Sequence, residues 1–204
     1  MQILSLLKKH YPNANIVLAR NKFQLLIATI LSAQTADKQT VAVAKKLFAR
    51  YKNAEQLANA KQEDIERIIK SMGLYRIKAA RIIACSKTLV KKYNGKVPGT
   101  MKELIELPGV GRKTANIVLG KGFGKQEGIA IDTHAFRISR RLGLSKGKTA
   151  LAVERDLMKL LPKSEWTRFT DMLIFHGRNI CKAQKPKCRE CFLNKLCEFG
   201  YKTL

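Results

Sequence analysis

Four cysteines near the C-terminus have the spacing of metal ligands. Cys181, Cys188, Cys191 and Cys197 follow the pattern C-x6-C-x2-C-x5-C. In a reducing compartment such closely spaced thiols are more typical of metal binding than of disulfides. Structural zinc usually takes two C-x2-C pairs and only one is present, whereas a cubane iron–sulfur cluster tolerates uneven spacing. The spacing favours iron–sulfur and leaves zinc open. Cys85 lies in an apolar run and is predicted to be a core residue.

The segment between the cysteines is rich in cations, among them Lys187 and Arg189. Two interpretations stand side by side. The segment is either a solvated loop, or a loop that contacts phosphates and is held rigid by the metal group.

A glycine turn lies between two predicted helices. Residues 101–106 and 114–119 have helical patterns, and Pro108, Gly109 and Gly111 lie between them. Glycine permits backbone angles closed to other residues and the close approach of a phosphate, and the first amides of a helix can bind an anion. Many tight turns contain two such glycines. In a strongly basic chain, the arrangement predicts sequence-independent contact with a nucleic acid backbone.

Lys113 directly follows this turn, where a bound phosphate would bring a sugar close. It could pair with the phosphate, or its neutral amine could attack a sugar carbon and form a Schiff base. Partial burial would favour the neutral amine. The residue type alone favours phosphate pairing.

Asp132 follows an apolar run and precedes a helical pattern, so it is predicted to be a helix N-cap. A carboxylate in that position could also stabilise positive charge on a sugar that is losing its base. The two roles are compatible. His134 and His176 are interpreted as hydrogen-bonded structural residues.

Helical periodicity extends through nearly the whole chain, and no segment shows sustained apolar and polar alternation. The fold class is therefore predicted to be all-α. Ser164 is a predicted cap, and Gly120–Gly128, with four glycines, is predicted to be a flexible connection. The predicted apolar faces comprise Leu25, Leu26, Thr29, Ile30 and Ala33; Val41, Val43, Ala44, Leu47 and Phe48; Ile65, Ile68 and Ile69; Ala79, Ile82, Ile83, Leu89 and Val90.

The charge of the chain narrows the class of partner. Forty Lys and Arg against fifteen Asp and Glu give a formal net charge of +25. Such a field attracts polyanions, with nucleic acid first and an anionic membrane surface second, although a basic surface without a specific ligand gives the same number. We find no apolar run of membrane-spanning length and no secretory signal. The expected location is the cytoplasm, or the nucleoid of a bacterium.

Together these residues resemble the endonuclease III family of helix-hairpin-helix DNA glycosylases over nearly the whole chain. Leu31–Asp37 resembles the early motif of the family and Met72–Arg76 its wedge loop. Leu107–Ala115 is similar to the helix-hairpin-helix, and Ile131–His134 to the segment with the catalytic acid. The cysteine spacing is similar to that of the cluster. The last three similarities together are highly specific.

The resemblance implies two helical lobes with a DNA-binding groove between them. One would be a six-helix lobe spanning 15–126, with the helix-hairpin-helix at about 101–120. The other would combine 1–14 with 127–204 and carry one [4Fe-4S] cluster in the loop 181–197. Gly109 and Gly111 would bind the DNA backbone.

The resemblance also implies a reaction. The damaged nucleotide leaves the duplex, Leu74 is a wedge in the opened step, and Gln34 fills the vacated space. Lys113 attacks C1′ and displaces the base, Asp132 assists, and β-elimination cuts the strand. The expected substrates are oxidised pyrimidines such as thymine glycol, and abasic sites, in double-stranded DNA. The expected protein is a monomer without a membrane partner.

Other classes of protein share part of this pattern. The adenine- and thymine-mismatch glycosylases of the superfamily lack a lysine at the position of Lys113, and the adenine-specific ones carry an extra C-terminal domain. A pyrimidine-dimer glycosylase would keep both Lys113 and Asp132. From other classes, a DNA-binding module with a zinc knob would contain no iron, and a membrane-surface protein would need an amphipathic basic helix, which does not stand out.

Overall fold

The computed structural model describes residues 1–19 and 21–200, and the regular structure within them is entirely helical. The predicted all-α fold class is confirmed. The α-helices of this described part are α1 Gln2–His10, α2 Lys22–Leu31, α3 Asp37–Arg50, α4 Ala54–Ala58, α5 Gln62–Ile69, α6 Tyr75–Tyr93, α7 Met101–Ile105, α8 Arg112–Ile117, α9 Thr133–Arg141, α10 Ala150–Leu160 and α11 Trp166–Asn179. Short helical segments of other types are Val118–Gly122 (π), Lys163–Glu165, Cys188–Glu190 and Asn194–Leu196 (3₁₀).

The chain folds as two compact units. The first unit is Val17–Lys125, and the second combines Met1–Ile16 with the described residues from Gln126 onward. Arg20 and positions 201–204, which belong to the lobes expected from the sequence, lie outside the described residues. Among the helices of the described chain, none has the length and apolar character needed to cross a membrane.

The core of the first unit is built around α2. The Asn21 side chain caps this helix by accepting a hydrogen bond from the Gln24 backbone N–H at 2.8 Å. Every residue from Leu25 to Leu31 is buried, so α2 is apolar on all sides and is covered by its neighbours. Buried residues of α3, α5 and α6 complete this core and position the turns that precede α3, α6 and α8.

The second core joins α1, α9, α10 and α11. Leu7, Ile138, Leu157 and Phe169 are fully buried in it. Leu193, from the segment between the last two cysteines, is also fully buried there. The cysteine segment is therefore anchored to the helices of the second unit by apolar contacts as well as by polar ones.

Some predicted details of the helices are wrong. Val41 and Val90 are exposed, because Val43, Ala44 and Leu47 on α3, and Leu89 on α6, define the buried faces instead. Ala33 is exposed and lies beyond the end of α2 at Leu31.

Two predicted helix boundaries also differ from the structure. Ser164 is not a cap, since it lies within a 3₁₀ turn and α11 begins without a side-chain cap. The predicted flexible connection is helical in its first part, because the π-helical segment Val118–Gly122 continues α8.

Candidate functional site

The predicted hairpin joins α7 to α8. Leu107 and Val110 are buried, and the Val110 backbone N–H donates to the Leu107 carbonyl at 3.0 Å. Gly109 has a φ of +81°, a left-handed conformation that glycine adopts without strain. Gly111 is the exposed N-cap of α8 and supplies no side-chain cap. The two apolar residues anchor the turn and the second glycine opens it to solvent.

The two glycines have different surroundings. A Cβ atom on Gly109 would lie 3.3 Å from atoms of the Ile30 and Arg81 side chains, which is tighter than ordinary contact. A Cβ atom on Gly111 would meet nothing within 4 Å. Gly109 is thus required by the fold itself. Gly111 leaves open space beside the first amides of α8, where a bulky anion can approach the backbone.

Lys113 lies in the first turn of α8 and is exposed, so the structure does not support partial burial of its amine. Ala115 and Asn116 are the buried residues of this helix, and they turn its opposite face toward the first core. The helix therefore presents Lys113 to solvent immediately after the hairpin.

Asp132 is the N-cap of α9, as predicted. Its Oδ1 atom accepts a hydrogen bond from the Ala135 backbone N–H at 2.7 Å. The preceding segment is fixed by Thr170 of α11, whose hydroxyl donates to the Ala130 carbonyl at 3.1 Å. A carboxylate has two oxygens, so capping leaves Asp132 able to make a second contact. Asp132 and Lys113 belong to different units of the chain.

Gln34 and Leu74 share a backbone feature that the sequence did not reveal. Their φ values are +53° and +56°, in the left-handed region that bulky residues rarely adopt, and both residues are exposed. Leu74 is also the N-cap of α6, and its residue exposure is 56%. Exposed residues whose backbone is held in a strained conformation are typical of functional positions.

Two hydrogen bonds link the turns that contain these residues, each through the helix that follows one of them. The Lys78 Nζ donates to the Thr35 hydroxyl at 2.7 Å, and the Gln39 Nε2 donates to the Ser71 carbonyl at 2.5 Å. Sequence reasoning missed Lys78 and Thr35. The sequence shows Lys78 only as a lysine among the apolar residues of α6. Such a lysine ordinarily occupies an exposed position of a helix, so its burial was not predicted.

The four predicted metal ligands line one cavity of the second unit, which is partly open to solvent. Backbone and guanidinium groups donate to the sulfurs: the Arg141 Nη1 to the Cys181 Sγ at 3.4 Å, and the Gly200 N–H to the Cys197 Sγ at 3.3 Å. Burial is the main reason that the pKa of the Cys191 thiol is raised to about 11; a backbone hydrogen bond at Leu193 opposes the rise, and the other three cysteines add to it. The cavity therefore combines four sulfurs with donors that suit thiolates.

The donor set bears on which metal group could be held. Four thiols that line one cavity are a set that a cubane cluster accepts, with one thiolate for each iron. Four thiols can also hold a tetrahedral zinc.

Two arginines of α9 hold the start of the cysteine segment. Arg137 donates to the Cys181 carbonyl at 2.8 Å. Arg141 donates to the carbonyls of Lys182 and Ala183 at 2.7 and 2.9 Å. Sequence reasoning missed both arginines, although their four-residue spacing on one helix face indicates that they act together.

The two predicted DNA-contact residues of the cysteine segment, Lys187 and Arg189, have different surroundings. The Lys187 Nζ forms an ion pair with Glu190 at 3.1 Å, and both side chains are largely solvated. Arg189 is exposed in the 3₁₀ turn Cys188–Glu190. Because exposed ion pairs contribute little, Lys187 can exchange its partner for a phosphate at small cost.

His176 is a buried structural residue, as interpreted from the sequence. Its Nδ1 lies 3.2 Å from the Tyr11 hydroxyl and its Nε2 lies 3.6 Å from the Cys191 Sγ. Burial, with a smaller effect of His10, lowers its pKa to about 4. His134 contacts the Arg137 guanidinium at 3.2 Å.

Comparison with known proteins places these features in a family. Residues 27–163 match the HhH-GPD superfamily base excision DNA repair protein model. Endonuclease III of Synechocystis sp. is 47% identical over 197 residues, which cover 96% of this chain and 90% of that protein. Endonuclease III of Thermotoga maritima is 50% identical, with 87% and 83% covered. The chain belongs to the endonuclease III family of helix-hairpin-helix DNA glycosylases.

A solved structure agrees with this assignment. The trapped endonuclease III–DNA covalent intermediate, an estranged-adenine complex, superimposes with a TM-score of 0.93 at 44% identity, with 98% of this chain and 94% of that chain covered. Like its family, the chain is a base excision repair enzyme, a DNA glycosylase and abasic-site lyase that acts on duplex DNA. The resemblance drawn from the sequence is confirmed.

Proposed function

We propose that this enzyme removes oxidised pyrimidines of the thymine glycol type from duplex DNA, with Lys113 as the nucleophile and Asp132 as the assisting carboxylate. The observation that carries the proposal is the position of Lys113, exposed in the first turn of the helix that follows the hairpin. A phosphate held beside Gly111 brings the neighbouring sugar within reach of this amine.

The lysine chemistry accounts for both activities of the family. As the Lys113 Nζ bonds to C1′, the bond from C1′ to the damaged base breaks, and the base leaves with its electron pair and takes up a proton. The sugar ring then opens: the C1′–O4′ bond breaks, O4′ takes up a proton, and a Schiff base forms between C1′ and Nζ. This Schiff base acidifies the proton on C2′. Loss of that proton expels the 3′ phosphate by β-elimination, and water then releases the free amine.

Asp132 supports this step through its second contact. Its Oδ1 remains committed to the Ala135 N–H, which fixes the carboxylate at the start of α9. The carboxylate accepts a proton from the attacking amine and stabilises the positive charge that develops on the sugar. Asp132→Asn keeps a cap but removes the charge, so it separates these two roles.

Gln34 and Leu74 act on the duplex. The exposed Leu74 side chain enters the base step beside the extruded nucleotide, and Gln34 occupies the vacated space with its amide against the orphaned base. Their strained backbones support this assignment, since such strain persists where a side chain must point in a set direction.

The proposed cofactor is one [4Fe-4S] cluster held by Cys181, Cys188, Cys191 and Cys197. When bound, it supplies rigidity to the cysteine segment, and not a group that takes part in base removal. Purified protein should contain four irons and four acid-labile sulfides per chain. Cys188→Ser should lose both, whereas Cys85→Ser, a buried cysteine outside the cavity, should keep them.

The cysteine segment offers Lys187 and Arg189 to the phosphates of the same duplex. Both side chains are exposed, and the segment is anchored by Arg137 and Arg141. Anchoring lowers the entropic cost of ordering a loop on DNA. The bacterial relatives support action on the DNA of the bacterial nucleoid, in the cytoplasm. Action as a monomer is part of the same proposal.

Base pairing in a related complex supports the proposed class of lesion. The related complex trapped as a covalent intermediate contains an estranged adenine. Adenine is the partner of thymine, so a damaged thymine is the base expected to leave opposite it. This supports thymine glycol as the first substrate to test.

Product analysis tests the proposal. Duplexes with a single thymine glycol, abasic site or pyrimidine dimer should yield free base where one is present, and a strand ending in an unsaturated 3′ aldehyde. Asp132→Asn should lose base release from thymine glycol with unchanged thermal stability. Base release without strand cleavage would contradict the Lys113 mechanism, and activity confined to the dimer would contradict the assigned lesion.

A further inference from the structure

Lys78 is an unusual buried residue of the first unit. Its exposure is 3%, although it lies in the first turn of α6, close to the exposed Leu74. Among the described residues no carboxylate forms an ion pair with it, and burial lowers its pKa. Its Nζ donates instead to the Thr35 hydroxyl at 2.7 Å.

A buried ammonium without a counter-charge costs stability, and an apolar side chain of the same length would fill the space at no such cost. The packing of α6 therefore does not explain Lys78. Its partner suggests what does, because Thr35 directly follows Gln34 in the chain.

Two segments meet near this hydrogen bond. We call residues 32–36 the Gln34 turn and residues 70–74 the Leu74 turn. Neither lies within a helix, and backbone hydrogen bonds to the flanking helices hold their ends, such as that from the Lys78 N–H to the Leu74 carbonyl at 3.0 Å. Each contains one non-glycine residue with a positive φ. A strained conformation of this kind persists only where surrounding contacts impose it.

A second hydrogen bond has the opposite arrangement. The Gln39 Nε2, from the first turn of α3, donates to the Ser71 carbonyl of the Leu74 turn at 2.5 Å. Each of the two bonds thus joins one turn to the first turn of the helix that follows the other. The bond from Lys78 is partly buried whereas the bond from Gln39 is exposed, and a hydrogen bond shielded from water holds its geometry more firmly than a solvated one.

We propose that the hydrogen bond from Lys78 to Thr35 is a positioning device that holds the Gln34 turn and the Leu74 turn in register, so that both side chains enter one opened base pair. Lys78 and Thr35 are positioning residues that act through Gln34 and Leu74. The inference rests on the duplex-opening roles given to those two residues under the proposed function.

The test uses Thr35, because changes at this half-buried position are mild. Thr35→Val keeps the shape and loses the hydroxyl, whereas Thr35→Ser keeps the hydroxyl. Thr88→Val is a matched control, since the Thr88 hydroxyl of the same unit donates to the Ala84 carbonyl at 3.0 Å, a local bond like the one from the Thr35 hydroxyl to the Ala33 carbonyl at 3.4 Å. Lys78→Met, alone and combined with Thr35→Val, completes a double-mutant cycle.

The readout is the fluorescence of 2-aminopurine placed opposite a tetrahydrofuran abasic analogue, at saturating full-length protein, together with single-turnover removal of thymine glycol. Thr35→Val should lose the fluorescence change of the wild type and slow base removal by about ten- to a hundredfold, as small misplacements do. Thr35→Ser and Thr88→Val should match the wild type. Adding Thr35→Val to Lys78→Met should have no further effect.

The outcomes separate this inference from the proposed function. If the wild type neither changes the fluorescence nor removes thymine glycol, the roles of Gln34 and Leu74 fail. If the wild type does both and Thr35→Val equals it, only the positioning role is overturned. A loss in Thr35→Val that Thr35→Ser fails to restore would likewise overturn the role of the hydroxyl.

Discussion

Leu74 and Gln34 show how single residues of this enzyme depart from ordinary folding preferences. Each is exposed and each has a left-handed backbone, which costs a residue with a side chain about 1–2 kcal/mol relative to glycine. If these side chains had no function, glycine at either position would avoid the strain and stabilise the protein. The strain therefore supports a direct action of both side chains on DNA.

Leu74→Gly should make the protein more stable and less active. Glycine accepts the φ of +56° without strain, so the free energy of unfolding should rise by about 1 kcal/mol, while loss of the wedge slows thymine glycol removal by at least about tenfold. Leu74→Ala should lose activity without the gain in stability, because its Cβ keeps the strain. Denaturant unfolding and single-turnover kinetics measure the two effects.

Val41→Ala is the control for this pair of changes, since Val41 is another exposed apolar residue of the first unit. It should leave both quantities near the wild-type values. Wild-type base removal by both Leu74 variants would contradict the wedge.

At the residue scale, spacing and residue type predicted part of the site. The cap formed by Asp132 and the burial of Cys85 are as predicted, because both depend on neighbours in the sequence. The burial of Lys78 and the contact with Thr35 were not predicted. They depend on how two distant turns meet, which local sequence does not encode.

At the scale of elements, the local features of the hairpin were predicted from the sequence, whereas its long-range contacts were not. Its glycines, its proline and its two short helices were predicted from a local pattern. The different surroundings of Gly109 and Gly111 were not, because they depend on Ile30 and Arg81, far away in the sequence. Helical faces were predicted less accurately at their edges, as Val41 shows, since an apolar residue at the surface has the same type as one in the core.

The two glycines should respond differently to the same substitution. Gly109→Ala should destabilise the protein by about 1–2 kcal/mol or more, because it adds backbone strain and a close contact. Gly111→Ala should cost less stability than Gly109→Ala, since it makes a poorer N-cap but adds no close contact, and it should weaken DNA binding, since its methyl group occupies the open space beside the amides of α8. Thermal unfolding and titration of a labelled duplex measure both. Full DNA affinity in Gly111→Ala would remove this position from the interface.

The cysteine segment should contribute to DNA affinity through the positive charge of its basic side chains. Arg189→Ala should lower the slope of log affinity against log salt concentration by about 0.9, the value of one phosphate contact. Lys159→Ala, an exposed lysine of α10 in the same unit, is the control and should leave the slope unchanged. An unchanged slope in Arg189→Ala, with the cluster retained, would show that this arginine is solvated in the complex.

The whole molecule combines a large positive charge with two helical units. The net charge of +25 predicted a polyanionic partner, and family membership identifies it as duplex DNA. Charge alone did not separate DNA from other polyanions. The cysteine spacing, the hairpin and Asp132 did so together, because few families combine all three. The lesion was predicted only through the resemblance, since residues of a base pocket are scattered over loops and have no common spacing.

The proposed reaction of the whole enzyme depends most on Lys113, whose amine attacks the sugar C1′. Borohydride reduction of a reaction on a thymine glycol duplex tests it most directly, with the adduct mapped by mass spectrometry. The wild type and Lys102→Ala, which removes an exposed lysine of α7, should form a covalent protein–DNA adduct on Lys113. Lys113→Ala should form none. An adduct formed by Lys113→Ala at the wild-type yield, or none formed by the wild type with thymine glycol or an abasic site, would contradict the assignment and return Lys113 to a phosphate contact.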